Sequence, residues 1–306
     1  MSLTVVGTVA LDTVETPFGK LEEGLGGSAT HFAASATFFC PLALVAVVGA
    51  DFPEAHLDFF RSRPIDLAAL ERHPGKTFRW KGRYEHDLNV AHTLDTQLNV
   101  LLDFNPRLTP AMRKNPFLFL GNIDPAIQLQ GIEQMEGKPF IAADTMNYWI
   151  SGHRESLLKT LKRVHLLLIN EAEARLLADT PNLVKASRII REMGPKTLVI
   201  KRGEYGALVF HGDEVFSAPA LPLEEILDPT GAGDSFAGGV LGYLAKTGDL
   251  SFRNLKKAVI YGSVMASFIV EKFSMDRLRD LTNAEIEGRY RQFCELAHFE
   301  AAPTTL

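Results

Sequence analysis

Three small residues, Gly231, Ala232 and Gly233, stand between a turn and a carboxylate, Asp234, in the run Asp228-Pro229-Thr230-Gly231-Ala232-Gly233-Asp234. An apolar helical stretch follows at once. Small residues at a helix start leave backbone N–H groups bare and aimed at one point, and the helix dipole adds partial positive charge there. Together these make an anion site, most often for phosphate. A carboxylate beside an anion site is repulsive unless it has a task of its own. The economical task is to accept a proton from a hydroxyl that attacks the phosphate. The plainer alternative is that Asp234 complements the helix dipole. Gly238, Gly239 and Gly242 would then only let helices pack closely.

Other residues could share that chemistry. Asn170-Glu171-Ala172-Glu173 follows an apolar run directly, and a carboxylate at the C-terminal end of a strand lies where α/β sheets bind ligands. The same four residues also read as an N-cap with acids in the first helical turn. Lys201-Arg202-Gly203-Glu204-Tyr205-Gly206 sits between two strand candidates, where a hairpin needs such glycines anyway. Near the start, Gly7 is followed five residues on by Asp12. A carboxylate there can grip two vicinal hydroxyls through charge-assisted hydrogen bonds. Gly24 to Ala29 loosely fits a dinucleotide fingerprint, but the segment before it is polar and turn-rich rather than a strand. No Gly-x-x-x-x-Gly-Lys-Ser/Thr occurs, which excludes a P-loop kinase.

The elements that must position these residues alternate. Apolar runs at 3–9, 42–48, 117–120, 140–143, 164–169, 197–200 and 207–210 read as strands, several apolar throughout as expected when both faces are covered. Helical patterns lie between them at 27–39, 125–135, 154–162, 171–178 and 183–193. This is the signature of an α/β fold with a mostly parallel sheet flanked by helices. The last third is helical, at 230–246, 255–273 and 284–296, the final helix opening on the capping-box pattern Thr282-Asn283-Ala284-Glu285. Two segments, 12–24 and 77–104, break the rhythm with polar and apolar residues spaced by two. They predict a small β-sheet beside a main domain made of 1–11, 25–76 and 105–306.

Composition narrows the classes. The 306 residues are 46% hydrophobic and 23% charged, with net charge −5. That is ordinary for a soluble globular chain and argues against a nucleic-acid partner. Two distant cysteines, Cys40 and Cys294, suit a reduced interior and offer no disulfide framework or metal pair. Met1-Ser2-Leu3 runs straight into a strand-like segment, so no signal peptide is expected, and no apolar run reaches the roughly 18 residues of a membrane helix. A cytoplasmic location follows as an expectation, with no membrane partner.

Asp228 to Asp234, continued by Ser-Phe-Ala-Gly-Gly, resembles the C-terminal signature of the ribokinase (PfkB-type) family of sugar and nucleoside kinases. The resemblance implies a ribokinase-like fold in which the two irregular segments form a lid over the substrate. It implies that the backbone of Gly231, Ala232, Gly233 and Asp234 forms the anion hole and that Asp234 is the catalytic base. Asn170 and Glu173 match the family's Asn-x-x-Glu motif, whose glutamate places Mg²⁺, usually through water. Gly203, Thr230 and Ser263 fall where relatives contact ATP, with Ser263 and its neighbours Gly262 and Ala266 like the adenine-pocket segment. Asp12, Gly26 and Gly27 match the substrate side. His31 stands where the family usually has asparagine, a departure on the sugar half. Asp228 and the Thr230 carbonyl lie where some relatives bind a monovalent cation, so K⁺ stimulation is implied as an option.

The expected activity is therefore transfer of the γ-phosphate of ATP, with Mg²⁺, to a hydroxymethyl group. Phe32, Phe38, Trp80 and Tyr84 tilt the acceptor towards a nucleoside, since aromatic faces stack on bases; they are equally well core or lid packing, and a free sugar is the alternative. A vitamin or hydroxymethylpyrimidine kinase is disfavoured by the lid and Asp12. A non-catalytic ligand-binding relative is disfavoured by intact Asp234 and Glu173. A homodimer through the lid is a further expectation.

Overall fold

The computed structural model describes residues 2–296 and 298. The first half runs β1 (Leu3–Val6), β2 (Ala10–Thr16), β3 (Gly19–Gly26), α1 (Ser28–Ala36), β4 (Leu42–Gly49), α2 (Glu54–Arg61), β5 (Ile65–His73), β6 (Arg79–Tyr84) and β7 (Ala91–Gln97). Then come β8 (Phe117–Leu120), α3 (Pro125–Glu133), β9 (Phe140–Ala143), α4 (Asn147–Gly152), α5 (Arg154–Leu161), β10 (Leu166–Asn170), α6 (Glu171–Ala178), α7 (Leu183–Glu192) and β11 (Thr197–Lys201). The hairpin β12 (Ala207–His211) and β13 (Glu214–Ala218) precedes α8 (Ala232–Thr247), α9 (Phe252–Ile269), α10 (Asp276–Arg279) and α11 (Asn283–Leu296).

Nine strands form one sheet in the order β13-β12-β11-β10-β9-β8-β1-β4-β5. The seven from β11 to β5 are parallel neighbours, and β12 and β13 close one edge antiparallel. Side chains alternate across a strand, so each central strand feeds two cores. Phe117, Phe119, Leu166 and Leu168 join the cluster covered by α1, α2, α8, α9 and α11. Leu118, Leu120, Leu167 and Ile169 join the cluster covered by α3 to α7. Burial of both faces is why these strands are apolar throughout. The two strands that sequence periodicity misses, β5 and β13, lie at the sheet's edges and are only partly buried. An edge strand carries polar residues and leaves no continuous apolar run.

A second sheet has the order β3-β2-β6-β7. β2–β3 and β6–β7 are antiparallel pairs, but β2 and β6 pair in parallel. Trp80 lies over Gly82 in β6: a side chain on Gly82 would start 2.0 Å from the indole. The indole N–H donates to Thr93 Oγ1 across the pair at 3.1 Å. Phe32 stacks on Phe119 with ring centroids 4.0 Å apart and is fully buried. Phe38 lies under the Arg63 guanidinium. Three of the four aromatics taken as base-stacking candidates are thus packing residues, and only Tyr84 reaches the site.

The glycines of α8 set its position. A Cβ on Gly238 would stand 2.3 Å from the Phe32 carbonyl oxygen, one on Gly239 2.8 Å from that of Tyr261, and one on Gly242 2.9 Å from that of Ala36. Backbone meets backbone along both flanks, so α1 and α9 clamp α8 and fix where its N-terminus points. Among the described residues no helix is long and apolar enough to cross a membrane. Thr282 and Glu285 make the reciprocal capping bonds their spacing predicts.

Alanine at Gly238 is expected to lower unfolding stability by about 1–3 kcal/mol, because the neighbouring backbone cannot yield. Alanine at Gly288 on α11, where nothing stands within 4 Å, should instead raise it by up to about 1 kcal/mol through helix propensity. Urea unfolding of both variants checks the contrast; equal midpoints would contradict the clamp.

Candidate active site

Three adjacent strands deliver charged residues to one place. Asp144 directly follows β9, Glu173 lies in the first turn of α6 just after β10, and Lys201 ends β11. The register pairs Asn170 with Lys201. The Lys201 ammonium donates to Asp144 Oδ2 at 2.7 Å, and the other Asp144 oxygen accepts from the Thr145 N–H at 2.8 Å. Glu173 and Asn170 form a capping box: Asn170 Oδ1 accepts from the Glu173 N–H, and Glu173 Oε2 from the Asn170 N–H, both at 2.8 Å. The capping reading of this pair and its place at the strand ends both hold.

The N-terminus of α8 covers these strand ends. Gly231 precedes the helix with φ 74, a left-handed conformation that favours glycine. A side chain there would also run into the His31 ring at 1.9 Å. The Ala232 N–H donates to Pro229 O at 3.1 Å and that of Ser235 to Gly231 O at 2.8 Å. This leaves the Gly233 and Asp234 N–H groups without a backbone partner among the described residues. A Cβ on Gly233 would stand 2.9 Å from Lys201 Nζ. The Gly231–Asp234 turn thus sits directly on the Lys201 ammonium.

Asp234 occupies the first turn of α8. Burial, then the carboxylates of Asp144, Asp12 and Glu173, push its carboxyl up to about 8 against the opposing pull of Lys201. Glu173 rises to about 7, by burial first and the Asp144 charge second. Burial also drives Asp144 upward, with Lys201 opposing. Burial alone would lower Lys201, but Asp144 and Glu173 outweigh it and leave the ammonium above its ordinary value. Lys201 is therefore charged, and the surrounding carboxylates outnumber it.

The opposite wall is built by Asp12. It is 6% exposed and accepts from the Gly27 N–H at 3.3 Å. Burial raises it to about 7. Gly26 must lack a side chain, since a Cβ would meet Asp12 Oδ2 at 2.0 Å. Gly27 has φ 95 and faces the Thr8 carbonyl. These glycines seat Asp12.

His31, expected on the substrate side, packs against Gly231 of the turn before α8. Its Nδ1 lies 3.0 Å from Gly27 O. A carbonyl only accepts, so Nδ1 carries the proton. Burial lowers the ring to about 4, so it is neutral and Nε2 is an acceptor, buried and without a partner. Asp228 uses one oxygen on the Thr230 N–H at 2.9 Å and the other on the Ser274 N–H at 3.5 Å, and so ties the anion turn to the loop after α9. Ser263 is buried on α9. Its neighbour Gly262 packs on the Phe236 carbonyl of α8.

The small sheet lies over this cleft. Thr230 Oγ1 donates to the Tyr84 hydroxyl at 3.4 Å, and burial pushes that phenol up to about 12, with Asp228, Asp12 and Asp234 adding to it. Asn89, in the loop between β6 and β7, stands 3.0 Å from where a Gly203 side chain would begin. Gly203 has φ 55 in a tight turn after β11.

The family model described as pfkB family carbohydrate kinase matches residues 3–279. The chain belongs to this family. It is 31% identical over 279 residues to a cytidine kinase from Thermococcus kodakarensis, a match spanning 89% of this chain and 97% of the relative. Its fold is that of the Methanocaldococcus jannaschii nucleoside kinase, an archaeal member of the ribokinase family, with TM-score 0.75 over 95% of this chain and 98% of that one at 20% identity. A candidate Ribokinase II from E. coli, solved with ATP and Mg²⁺, superposes with TM-score 0.77 over 95% and 99% of the two chains at 17% identity. This pfkB-family kinase thus has the ribokinase-like architecture that its C-terminal signature implies.

Sequence reasoning singled out Asp234, Glu173 and Asp12 but missed Asp144 and Lys201. The rule that flags Asn170, a polar residue at the end of an apolar strand, applies equally to Asp144 after 140–143 and to Lys201 after 197–200.

Stability should report the crowding of carboxylates. Asp234 stands at about 8 in the folded chain and near 4 when unfolded. The folded state therefore holds a proton that the unfolded state releases between those values, and stability falls as pH rises through that window. Without nucleotide or metal, Asp234→Asn is expected to melt above the wild type at pH 9, with the gap closing towards pH 5. Thermal melts at both pH values check it; a variant less stable at pH 9 would contradict it.

Proposed function

We propose that this kinase transfers the γ-phosphate of ATP to the hydroxymethyl group of a nucleoside. The observation that carries the reading is the placement of Asp234: it heads α8 with the Gly233 and Asp234 N–H groups lacking a backbone partner among the described residues, and it is near enough to Asp12 for that carboxylate to raise its own carboxyl. Asp12 holds acceptor hydroxyls, and Asp234 takes the proton of the hydroxyl that attacks. The new O–P bond forms as the bond to the β-phosphate oxygen breaks, and ADP leaves. The Gly231–Asp234 backbone, with Ala232 and Gly233 between, stabilises the charge on the transferring group. Gly203, Thr230, Asn170 and Ser263 line the nucleotide side.

Among the described residues no group of three or more His, Cys, Asp or Glu is gathered closely enough to hold a metal by itself, which suits a Mg²⁺ held through water and phosphate oxygens, and the buried carboxylates around Lys201 have room for added positive charge. Glu173 would hold it through water, and it would neutralise the β and γ oxygens. Asp228 and the Thr230 carbonyl would take K⁺. The small sheet, within 10–26 and 79–97 rather than 12–24 and 77–104, closes on the acceptor and excludes water.

The likeness to a cytidine kinase supports a nucleoside over a free sugar. A panel of nucleosides and sugars with Mg-ATP tests this, with cytidine expected among the substrates. Phosphorylation of sugars alone would reject the nucleoside, and phosphorylation of none would reject the enzyme reading for these classes. Asp234→Asn is expected to cut turnover by at least ~100-fold while ATP still binds. In the wild type, kcat/KM should rise with pH as the raised Asp234 carboxyl ionises towards about 8.

We also place self-association at the lid. β7 is an exposed edge throughout, with Leu94 exposed on it and Val90 and Leu98 exposed just before and after it, and exposed apolar edges invite pairing. Light scattering should give a dimer for the wild type and a monomer for Leu94→Lys; a wild-type monomer would reject this.

A further inference from the structure

We propose that Lys201 is a further catalytic residue whose ammonium grips the phosphoryl group in transfer, and that Asp144 is a positioning residue that holds it there. This rests on the phosphotransferase reading of the α8 N-terminus. An ammonium has three N–H donors. One goes to Asp144 Oδ2 at 2.7 Å, and among the described residues no second acceptor is in bonding range. Two donors stay free in a side chain that is only 15% exposed.

Their location is what matters. Nζ stands 2.9 Å from the point where a Gly233 side chain would begin, beside the Gly233 and Asp234 N–H groups that also lack partners. A phosphoryl oxygen bonded to those N–H groups comes within reach of the ammonium. Any side chain at 233 would fill that space, which gives Gly233 a reason beyond helix geometry. The pair makes little sense as packing alone. Burying two charges costs desolvation that their attraction seldom more than repays, and an apolar pair would serve a core as well. A compact, strongly charged ammonium is suited to a phosphate oxygen as a point charge.

Lys201 does not move a proton. The carboxylates of Asp144 and Glu173 keep it charged, and the acceptor's proton goes to Asp234. Asp144 is itself fixed by the Thr145 N–H at 2.8 Å, so the strand ends of β9 and β11 set the ammonium's position together. Its charge adds to that of the anion turn at the moment the transferring group carries most negative charge.

The test compares the wild type, Lys201→Met, and the double variant Lys201→Met/Asp144→Asn. Lys201→Met leaves Asp144 buried and unpaired and can unfold; the double variant removes both charges and keeps the volume. With Mg²⁺ and no acceptor, binding of AMP-PNP and of ADP is measured by calorimetry. The double variant is expected to weaken AMP-PNP by about tenfold or more and ADP by no more than about threefold, since only AMP-PNP carries the γ-phosphoryl. With acceptor, kcat should fall by ~100-fold or more while the acceptor KM holds. A double variant with wild-type turnover, or with both nucleotides weakened equally, overturns the proposal and leaves Lys201 as a neutraliser of Asp144. If the wild type phosphorylates no acceptor in the panel, the AMP-PNP and ADP comparison still decides Lys201. If it binds neither nucleotide, the phosphotransferase reading falls and this one with it.

Discussion

Carboxylates crowded out of water are the constraint around which this molecule is arranged. Asp12, Asp144, Glu173, Asp228 and Asp234 are all drawn upward by burial, and the Lys201 ammonium is paired with Asp144 and felt by Glu173 and Asp234. Like charges in a low-dielectric site repel strongly, so the group relieves itself by holding protons or by taking up cations. A site that must accept a metal together with a polyphosphate gains from this.

Holding such a cluster requires a rigid frame, and the frame is made from strands that are apolar to their last residue. Leu166 to Ile169 are fully buried and hand over to Asn170 without a turn. The 140–143 strand hands over to Asp144 in the same way, and Thr197 to Ile200 hand over to Lys201. The opposing half comes from α8, whose approach is limited by backbone contact with α1 and α9 rather than by side-chain packing. Side chains can repack and backbones cannot. The glycines therefore transmit the position of the core to the anion turn.

Much of this was legible in the residues. Continuous apolar runs located the central strands, because burial on both faces leaves no polar alternation. The glycine-rich start of α8 announced its close packing, and the same turn leaves the Gly233 and Asp234 N–H groups without a backbone partner among the described residues. The edge strands β5 and β13 were not legible, since half-exposed strands share their pattern with loops. Nor was the parallel pairing of β2 with β6, which depends on residues far apart in the chain. The aromatics stayed ambiguous for a different reason: Trp80 covers Gly82 and Phe32 fills the core, and composition does not distinguish a ring facing inward from one facing a ligand. Asp144 and Lys201 were readable in principle, because each terminates an apolar strand. What hid them is that their meaning lies in their meeting, and that meeting is set by sheet order.

The sheet over the cleft touches two separate loops. Tyr84 meets Thr230 in the anion turn, and Asn89 meets Gly203 in the turn after β11. Those turns flank the proposed phosphate and nucleotide sides, while Asp12 on β2 belongs to the same sheet and addresses the acceptor. One sheet thus touches the turns on both proposed sides. Whatever either reactant does to the angle of that body is felt by the other, and the effect is equal in both directions because it is a free energy of linkage. If donor and acceptor both bear on that body, linkage requires each to alter the other's affinity by the same factor.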